Sequence, residues 1–256
     1  MLSLRNKHAV VFGVASEDSI AWSVATKLHE AGARISLGYQ QRFKSRVFNL
    51  VRSGGVPVEF YDRCDVTDPD QVSAFFEDVR APIDVLVHSI AYANPETFGM
   101  PISEVTQADF VQALATSSYS LLPLVRAALP QMNGGGSVMA MTYLGGQRVV
   151  ANYKLMGIAK AALEASVREL AAEVGPLGVR VNAISAGPVK TLAASQISRF
   201  DELAHTYERV APLRRRITQE DVGHLAAFLA SDLSRNITGQ TLFVDAGYSI
   251  LALATL

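Results

Sequence analysis

The chain has 256 residues, enough for one α/β domain or two small ones around a sizeable core, and it is 49% hydrophobic and 18% charged. That balance excludes a disordered chain, and a formal net charge of −1 excludes the dominant basic surface that a binder of nucleic-acid phosphates needs. A single cysteine, Cys64, and five scattered histidines exclude a disulfide framework and give no expectation of a metal site.

The N-terminal "RNKH" leads into a strand-like "AVVFGV" without the apolar core of a signal peptide. No apolar run of 18 or more residues follows, so no membrane span and a soluble cytoplasmic protein are expected. Short apolar runs then alternate with amphipathic segments. "HAVVFGV" reads as a strand, followed by a helix over about 19–31. "ARISLGY" is a second strand and "QRFKSRVFNLVRS" a second helix. "PVEFYDRCDV" contains a third strand, and "DPDQVSAFFEDVR" a helix capped by Asp68 or Asp70. "IDVLVHSIAYA" is a fourth strand, apolar enough to be buried on both faces, and a long helix covers about 106–129. "GGSVMAMTYLG" and "VRVNAISAG" are strands five and six, separated by a helix that opens in "NYKLMGIAKAALEA". "TQEDVGHLAAFLASD" carries a capping-box pattern from Thr218 to Asp221, and "QTLFVDAG" is a last strand.

Strand–helix alternation from end to end, with no Pro/Gly-rich linker and no internal repeat, predicts one domain over 1–256. Its fold class is α/β: a doubly wound, Rossmann-type parallel sheet of seven strands with helices on both faces. Such sheets bind ligands beyond the carboxyl ends of their strands. The loops to inspect are therefore 13–20, 39–44, 64–66, 89–94, 142–147 and 186–195. "GVASEDSIA" has one glycine, Gly13, for a tight turn, then Ser19 and Ile20 where a helix start can offer amides and a hydroxyl to a pyrophosphate. A plain strand–turn–helix joint reads the same way. "CDV" places Asp65 where a carboxylate can take an adenine amino group, with Val66 against the ring. "HSIA" sets Ser89, Ile90 and Ala91 beside a ribose, and "SAGPVKTLAA" turns at Gly187 and Pro188 and brings Thr191 towards a phosphate. Each loop alone is an ordinary cap or turn; four on one edge point to a dinucleotide.

"NYKLMGIAKAALEA" carries Tyr153 and Lys160 seven residues apart, two turns along one helix face and about 10 Å along the axis. In isolation the pair reads as a packed phenol and a snorkelling ammonium, or as a catalytic pair.

"GVRVNAISAGPV" and "FLASDLSRNITGQTLFVDAG" resemble signatures of the short-chain dehydrogenase/reductase superfamily, and the likeness spans the chain. Within it the sequence is most similar to the bacterial enoyl-acyl-carrier-protein reductases of fatty acid biosynthesis. Their first loop G-x5-S-I-A, their "HSI" strand end, their Y-x9-Y-x6-K region and their "AISAGP-x-x-T-L-A-A-S" are matched at 13–21, at 88–90, at Tyr143, Tyr153 and Lys160, and at 183–195. Most of the superfamily reduces carbonyls with a tyrosine four residues before the lysine. Here that position is Met156, which has no proton to donate, and the serine expected thirteen residues earlier is Tyr143.

The resemblance implies transfer of hydride from NADH to Cβ of a trans-2-enoyl thioester carried on acyl carrier protein. Tyr153 is expected to hold the enolate oxygen, Lys160 the nicotinamide ribose, and Tyr143 to border the thioester or acyl chain. It implies cofactor contacts at Gly13, Ser19, Ile20, Gln40, Asp65, Val66, Ser89, Ile90, Lys160, Val189, Lys190, Thr191, Leu192 and Ala193, and substrate contacts at Ala93, Tyr143 and Tyr153. Gln40 stands where many NAD-binding folds place an acid, as in NADH-using enoyl reductases. Arg42 and Lys44 beside it leave NADPH as the alternative, or a solvated basic face.

Residues 191–212, with Ala193, Ala194, Ile197, Phe200 and Leu203 in an apolar stripe, are expected to form a mobile lid over the acyl site, or else a permanently packed helix pair. Family likeness implies a homotetramer, with the helices around 119–129 and 153–174 apolar enough to pack between subunits. Two rival readings stand beside the enoyl reductase: a short-chain oxidoreductase acting on a carbonyl or alcohol, which Met156 opposes, and a non-catalytic NAD-binding sensor.

Overall fold

The computed structural model describes residues 2–79, 81–192 and 200–252. Its strands are β1 (His8–Phe12), β2 (Arg34–Tyr39), β3 (Val58–Arg63), β4 (Val85–His88), β5 (Gly136–Thr142), β6 (Val179–Ala186) and β7 (Thr241–Val244). The helices are α1 (Ile20–Glu30), α2 (Lys44–Arg52), α3 (Pro69–Asp78), α4 (Gln107–Leu114), α5 (Leu121–Ala128), α6 (Lys154–Val174), α7 (Phe200–Val210) and α8 (Gln219–Ala230). All seven strands pair in parallel, in the order β3-β2-β1-β4-β5-β6-β7. This is the expected doubly wound sheet. Its strand order reverses between β1 and β4, which opens a crevice beyond their carboxyl ends.

Register keeps those ends level. Phe12 pairs with Gly38 and His88, His88 with Ala140, Thr142 with Ser185, and Ala186 with Val244. The central strands are largely apolar because both faces are covered. Val10 and Phe12 pack with Phe75 and Phe76 of α3, Leu124 of α5, and Leu163 and Val167 of α6. Ala9 and Val11, between them in sequence, pack on the other face with Trp22 and Leu28 of α1 and Val222 and Leu229 of α8. The two-residue period of a strand produces this division, and each large side chain so buried contributes about 1.5–3 kcal/mol.

Local structure departs from expectation in three places. The helix expected over 106–129 is broken by a π turn at Ala115–Tyr119. Polar anchors fix it there: Ser117 Oγ accepts the Tyr92 N–H at 2.9 Å, and Ser120 Oγ, which donates to Thr116 O at 2.7 Å, meets His88 Nε2 at 2.8 Å. A short 3₁₀ turn, Gln41–Phe43, precedes α2. Tyr153 lies just before α6 rather than inside it, flanked by Asn152 and Lys154 at φ +62° and +33°. The Lys154 ammonium ties this joint to the carbonyls of Gly99 (3.3 Å) and Met100 (2.6 Å). Elsewhere local chemistry reads as expected: Asp68 caps α3, and Thr218 and Asp221 form a reciprocal capping box on α8.

Candidate active site

Gly13 ends β1 at φ +104°, and a Cβ there would stand 2.0 Å from the Ser89 carbonyl oxygen. Only glycine lets β1 and the segment after β4 close to this distance and form the floor of the crevice. Above the floor lies a cleft of about 1070 Å³, lined from the loops that follow β1 to β6.

The start of α1 faces this cleft. Ser19 caps the helix, accepting the Trp22 N–H at 3.3 Å, while its hydroxyl and its N–H both donate to Ser16 O, at 2.7 and 3.1 Å. The Ile20 N–H, at the first helical position, has no intramolecular partner among the described residues. It is the free donor at the positive end of the helix, the arrangement that receives an anion. Ser19 was expected to share that role, but its donors are engaged internally.

At the other end of the cleft, Asp65 Oδ1 accepts the Thr67 N–H (3.0 Å) and hydroxyl (2.7 Å), leaving Oδ2 for an outside donor. Val66 is buried beside it, and the neighbouring Cys64 thiol, which lines the wall, is pushed up to about 12 by burial. Gln40 lines the adjacent wall. The Arg42 guanidinium lies over the rings of Phe43 and Tyr92, 4.7 and 5.3 Å from their centroids, and Arg46 lines the same wall. Lys44, expected beside Arg42, is exposed and outside the wall. Positions 42 and 46 are one helical turn apart and share a side; position 44 faces away.

Ser89, Ile90, Ala93, Val189, Thr191 and Leu192 line the remaining length of the cleft. Lys190 does not. It follows buried Val189 with its side chain turned to solvent, and its carbonyl accepts Gln219 Nε2 at 2.9 Å. Ala193 lies outside the described residues.

Tyr143 follows β5, and Tyr153 meets it edge to face, with ring centroids 4.8 Å apart at 68°. Gly145 leaves room for this: a Cβ there would stand 2.2 Å from the Tyr153 ring. Both phenols line the cleft. Burial raises both above the ordinary tyrosine value; Tyr248 adds to this for Tyr143, and Tyr143 and Glu164 for Tyr153. Both remain protonated, as donors must.

Lys160 is 4% exposed, and its ammonium donates to Met141 O at 2.7 Å and Ile90 O at 3.3 Å. An ammonium has three N–H groups, so one remains for the cleft. Burial lowers Lys160 to about 8, against the upward pull of Glu164. Met156 lines the wall where a carbonyl reductase needs its proton donor, with its thioether 3.9 Å from Ser117 Oγ. Glu164, a buried carboxylate bonded to Thr142 and Gln147, is the charged group that the sequence reading missed. Among the described residues no group of three His, Cys, Asp or Glu is placed to hold a metal.

The donor set fits a dinucleotide: an acceptor at Asp65, an open helix N–H at Ile20 and a buried ammonium at Lys160, along one cleft. A family model described as enoyl-(acyl carrier protein) reductase matches residues 13–249. The enoyl-acyl-carrier-protein reductase (NADH) FabI of Nostoc sp. is 45% identical over 260 residues, covering 99% of this chain and 100% of that protein. The corresponding Bacillus subtilis protein is 44% identical over 254 residues, covering 98% of each. Among solved structures, the Bacillus cereus enoyl-acyl carrier protein reductase with NADP+ and indole naphthyridinone superposes with a TM-score of 0.96 at 42% identity, over 99% of this chain and 100% of that one. The Anaplasma phagocytophilum reductase in complex with NAD gives 0.93 at 38% identity, over 99% and 97%.

Proposed function

The chain belongs to the enoyl-acyl-carrier-protein reductase family, and from that premise we propose how its residues divide the work. It is an NADH-dependent oxidoreductase of fatty acid biosynthesis that saturates the Cα–Cβ double bond of a trans-2-enoyl thioester. Bound NADH supplies the hydride that Cβ accepts. As Cβ is reduced, negative charge moves to the thioester oxygen, several bonds away, so the donor must stand near that oxygen rather than beside the reacting carbon. Tyr153, which lines the cleft, is that donor. Lys160 grips the ribose with its remaining N–H and supplies positive field, and Tyr143 braces Tyr153 and borders the acyl chain. The Ile20 N–H meets the pyrophosphate, and Asp65 with Val66 holds the adenine.

The observation that carries this reading is Met156 in place of the carbonyl-reductase phenol, with the Tyr153 phenol lining the same cleft. NADH absorbance is followed with crotonyl thioester and separately with a 3-ketoacyl thioester. Oxidation with the first alone is expected; the reverse preference makes the chain a carbonyl reductase, and binding of NADH without turnover of either makes it a sensor.

NADH should exceed NADPH in kcat/KM by about ten-fold, because the neutral Gln40 suits a ribose hydroxyl and brings no positive charge to a 2′-phosphate. If NADPH wins, and Arg42→Ala or Arg46→Ala removes its advantage, that basic pair is a 2′-phosphate site.

The substrate cover is proposed for 191–212. Phe200 of α7 lines the cleft, while Ala193, Ala194 and Ile197, and the side chain of Leu203, lie outside the described residues. Ala204, Tyr207 and Val210 are buried, and Tyr207 stacks on Tyr248 at 4.7 Å, so the far side of α7 is anchored. Backbone exchange across α7 is expected to be faster than in the sheet, and slowed by cofactor with a substrate analogue. Full protection of the free protein, unchanged by ligands, would leave a fixed helix pair.

Acyl carrier protein is the proposed carrier of the substrate, in a cytoplasmic homotetramer. Val111, Tyr119 and Ile158 expose apolar surface on the α4–α5 and α6 faces, which suits subunit packing; a monomer in sedimentation velocity removes that assembly. No helix among the described residues is long and apolar enough to cross a membrane.

A further inference from the structure

A buried cation calls for an anion within reach. One turn beyond Lys160 on α6, Glu164 is only 3% exposed. Its Oε1 accepts the Thr142 hydroxyl at 2.8 Å, and its Oε2 accepts the Gln147 side-chain amide at 2.8 Å. Thr142 directly follows Met141, whose carbonyl takes the Lys160 ammonium at 2.7 Å. Two consecutive residues at the end of β5 therefore hold the cation and the carboxylate of one helical turn. Gln147 belongs to the turn that follows Tyr143, and at Gly146 in that turn a Cβ would stand 2.9 Å from Glu164 Oε1. The loop backbone lies directly on the carboxylate.

We propose that Glu164 is a positioning residue for the Lys160 cation: one turn along α6, its buried carboxylate supplies the counter-charge, and its hydrogen bonds to Thr142 and Gln147 fix that turn of α6 to the loop carrying Tyr143. The proposal rests on the NADH-dependent reading above. His88 of β4, Tyr143 and Tyr153 are the other titratable groups on this side of the cleft. Burial lowers His88 to about 3, with Lys160 adding to the shift, so it stays neutral. Burial likewise keeps the two phenols protonated. Glu164 is the group whose negative charge opposes the desolvation of Lys160.

NADH affinity against pH, read by fluorescence titration without turnover, is the test. Wild-type affinity should fall as pH rises through about 8, where the Lys160 proton is lost. In Glu164→Gln the fall should come about one pH unit lower, with Kd raised roughly two-fold at pH 7. Glu164→Asp keeps the charge and should keep the wild-type midpoint. An unchanged midpoint in the Gln variant overturns the proposal, as does an Asp midpoint that drops equally far. If Glu164→Gln does not fold, the double variant Lys160→Met/Glu164→Gln decides. Recovery of cooperative unfolding supports a stranded cation, and continued failure makes Glu164 purely structural. Wild-type protein that binds no NADH at any pH overturns the functional reading itself, a separate outcome.

Discussion

Tyr153→Phe should lower kcat with an enoyl thioester roughly a hundred-fold, the usual cost of deleting one oxyanion donor, and leave NADH affinity within about two-fold of wild type. The ring stays: its edge-to-face contact with Tyr143 and its fit over Gly145 need no hydroxyl. Only the hydroxyl is removed and the buried ring is kept, so the fold should be about as stable as before. Lys160→Met is the contrast. It removes the donor to Met141 O and Ile90 O and leaves Glu164 without its cation, so NADH binding and stability should both fall. Burial holds Tyr153 far above the working range, so an alkaline fall in kcat/KM near pH 8 belongs to Lys160, whose charge is present below that pH and lost above it. Isothermal titration with NADH and steady-state kinetics on both variants separate the roles. Equal loss of cofactor binding in the two would mean that phenol and ammonium act as one binding unit.

The sheet and its binding edge were legible because most strands, β3 (VEFYDR) excepted, announce themselves as apolar runs between turns, and the end of each parallel strand fixes where its loop lies. What escaped was set by tertiary contacts. The helical pattern over 106–129, interrupted by the polar run at 116–120, does not reveal that Ser117 and Ser120 are pinned by Tyr92 and His88 at the π turn. A helix start at Lys154 has no capping residue to mark it; Gly99 and Met100 hold it through the Lys154 ammonium. Glu164, four residues after a lysine, has the spacing of an ordinary solvated helix pair. Only the position of Thr142 and Gln147 reveals a buried carboxylate. Lys44 is exposed, as a solvated basic face would be, and the Lys190 side chain is exposed while Val189 before it lines the cleft; helix phase and strand alternation, not residue type, set those directions.

Gly13→Ala should be the most damaging single methyl that this fold can receive. At φ +104° an L-residue is strained whatever the space around it, and here the new Cβ would meet Ser89 O at 2.0 Å and Ser89 C at 2.7 Å. Both obstacles are backbone and neither can step aside. The Ser89 N–H is bonded to Phe12 O at 3.1 Å, and the next carbonyl, Ile90 O, takes the Lys160 ammonium at 3.3 Å. Relief therefore requires parting β1 from the segment after β4 at the crevice itself, which disturbs the Lys160 grip and moves the start of α1. The cost should be about 3 kcal/mol, lowering Tm by roughly 6–12 °C, with NADH affinity falling at least about ten-fold. Gly99→Ala is the control: its φ is −87° and nothing lies within 4 Å of an added Cβ, so it should behave as wild type. Calorimetry of the free proteins and NADH titration read the two effects separately. A Gly13→Ala protein that melts and binds like the control would show that β1 and β4 do not depend on this close approach, and the crevice floor would need another explanation.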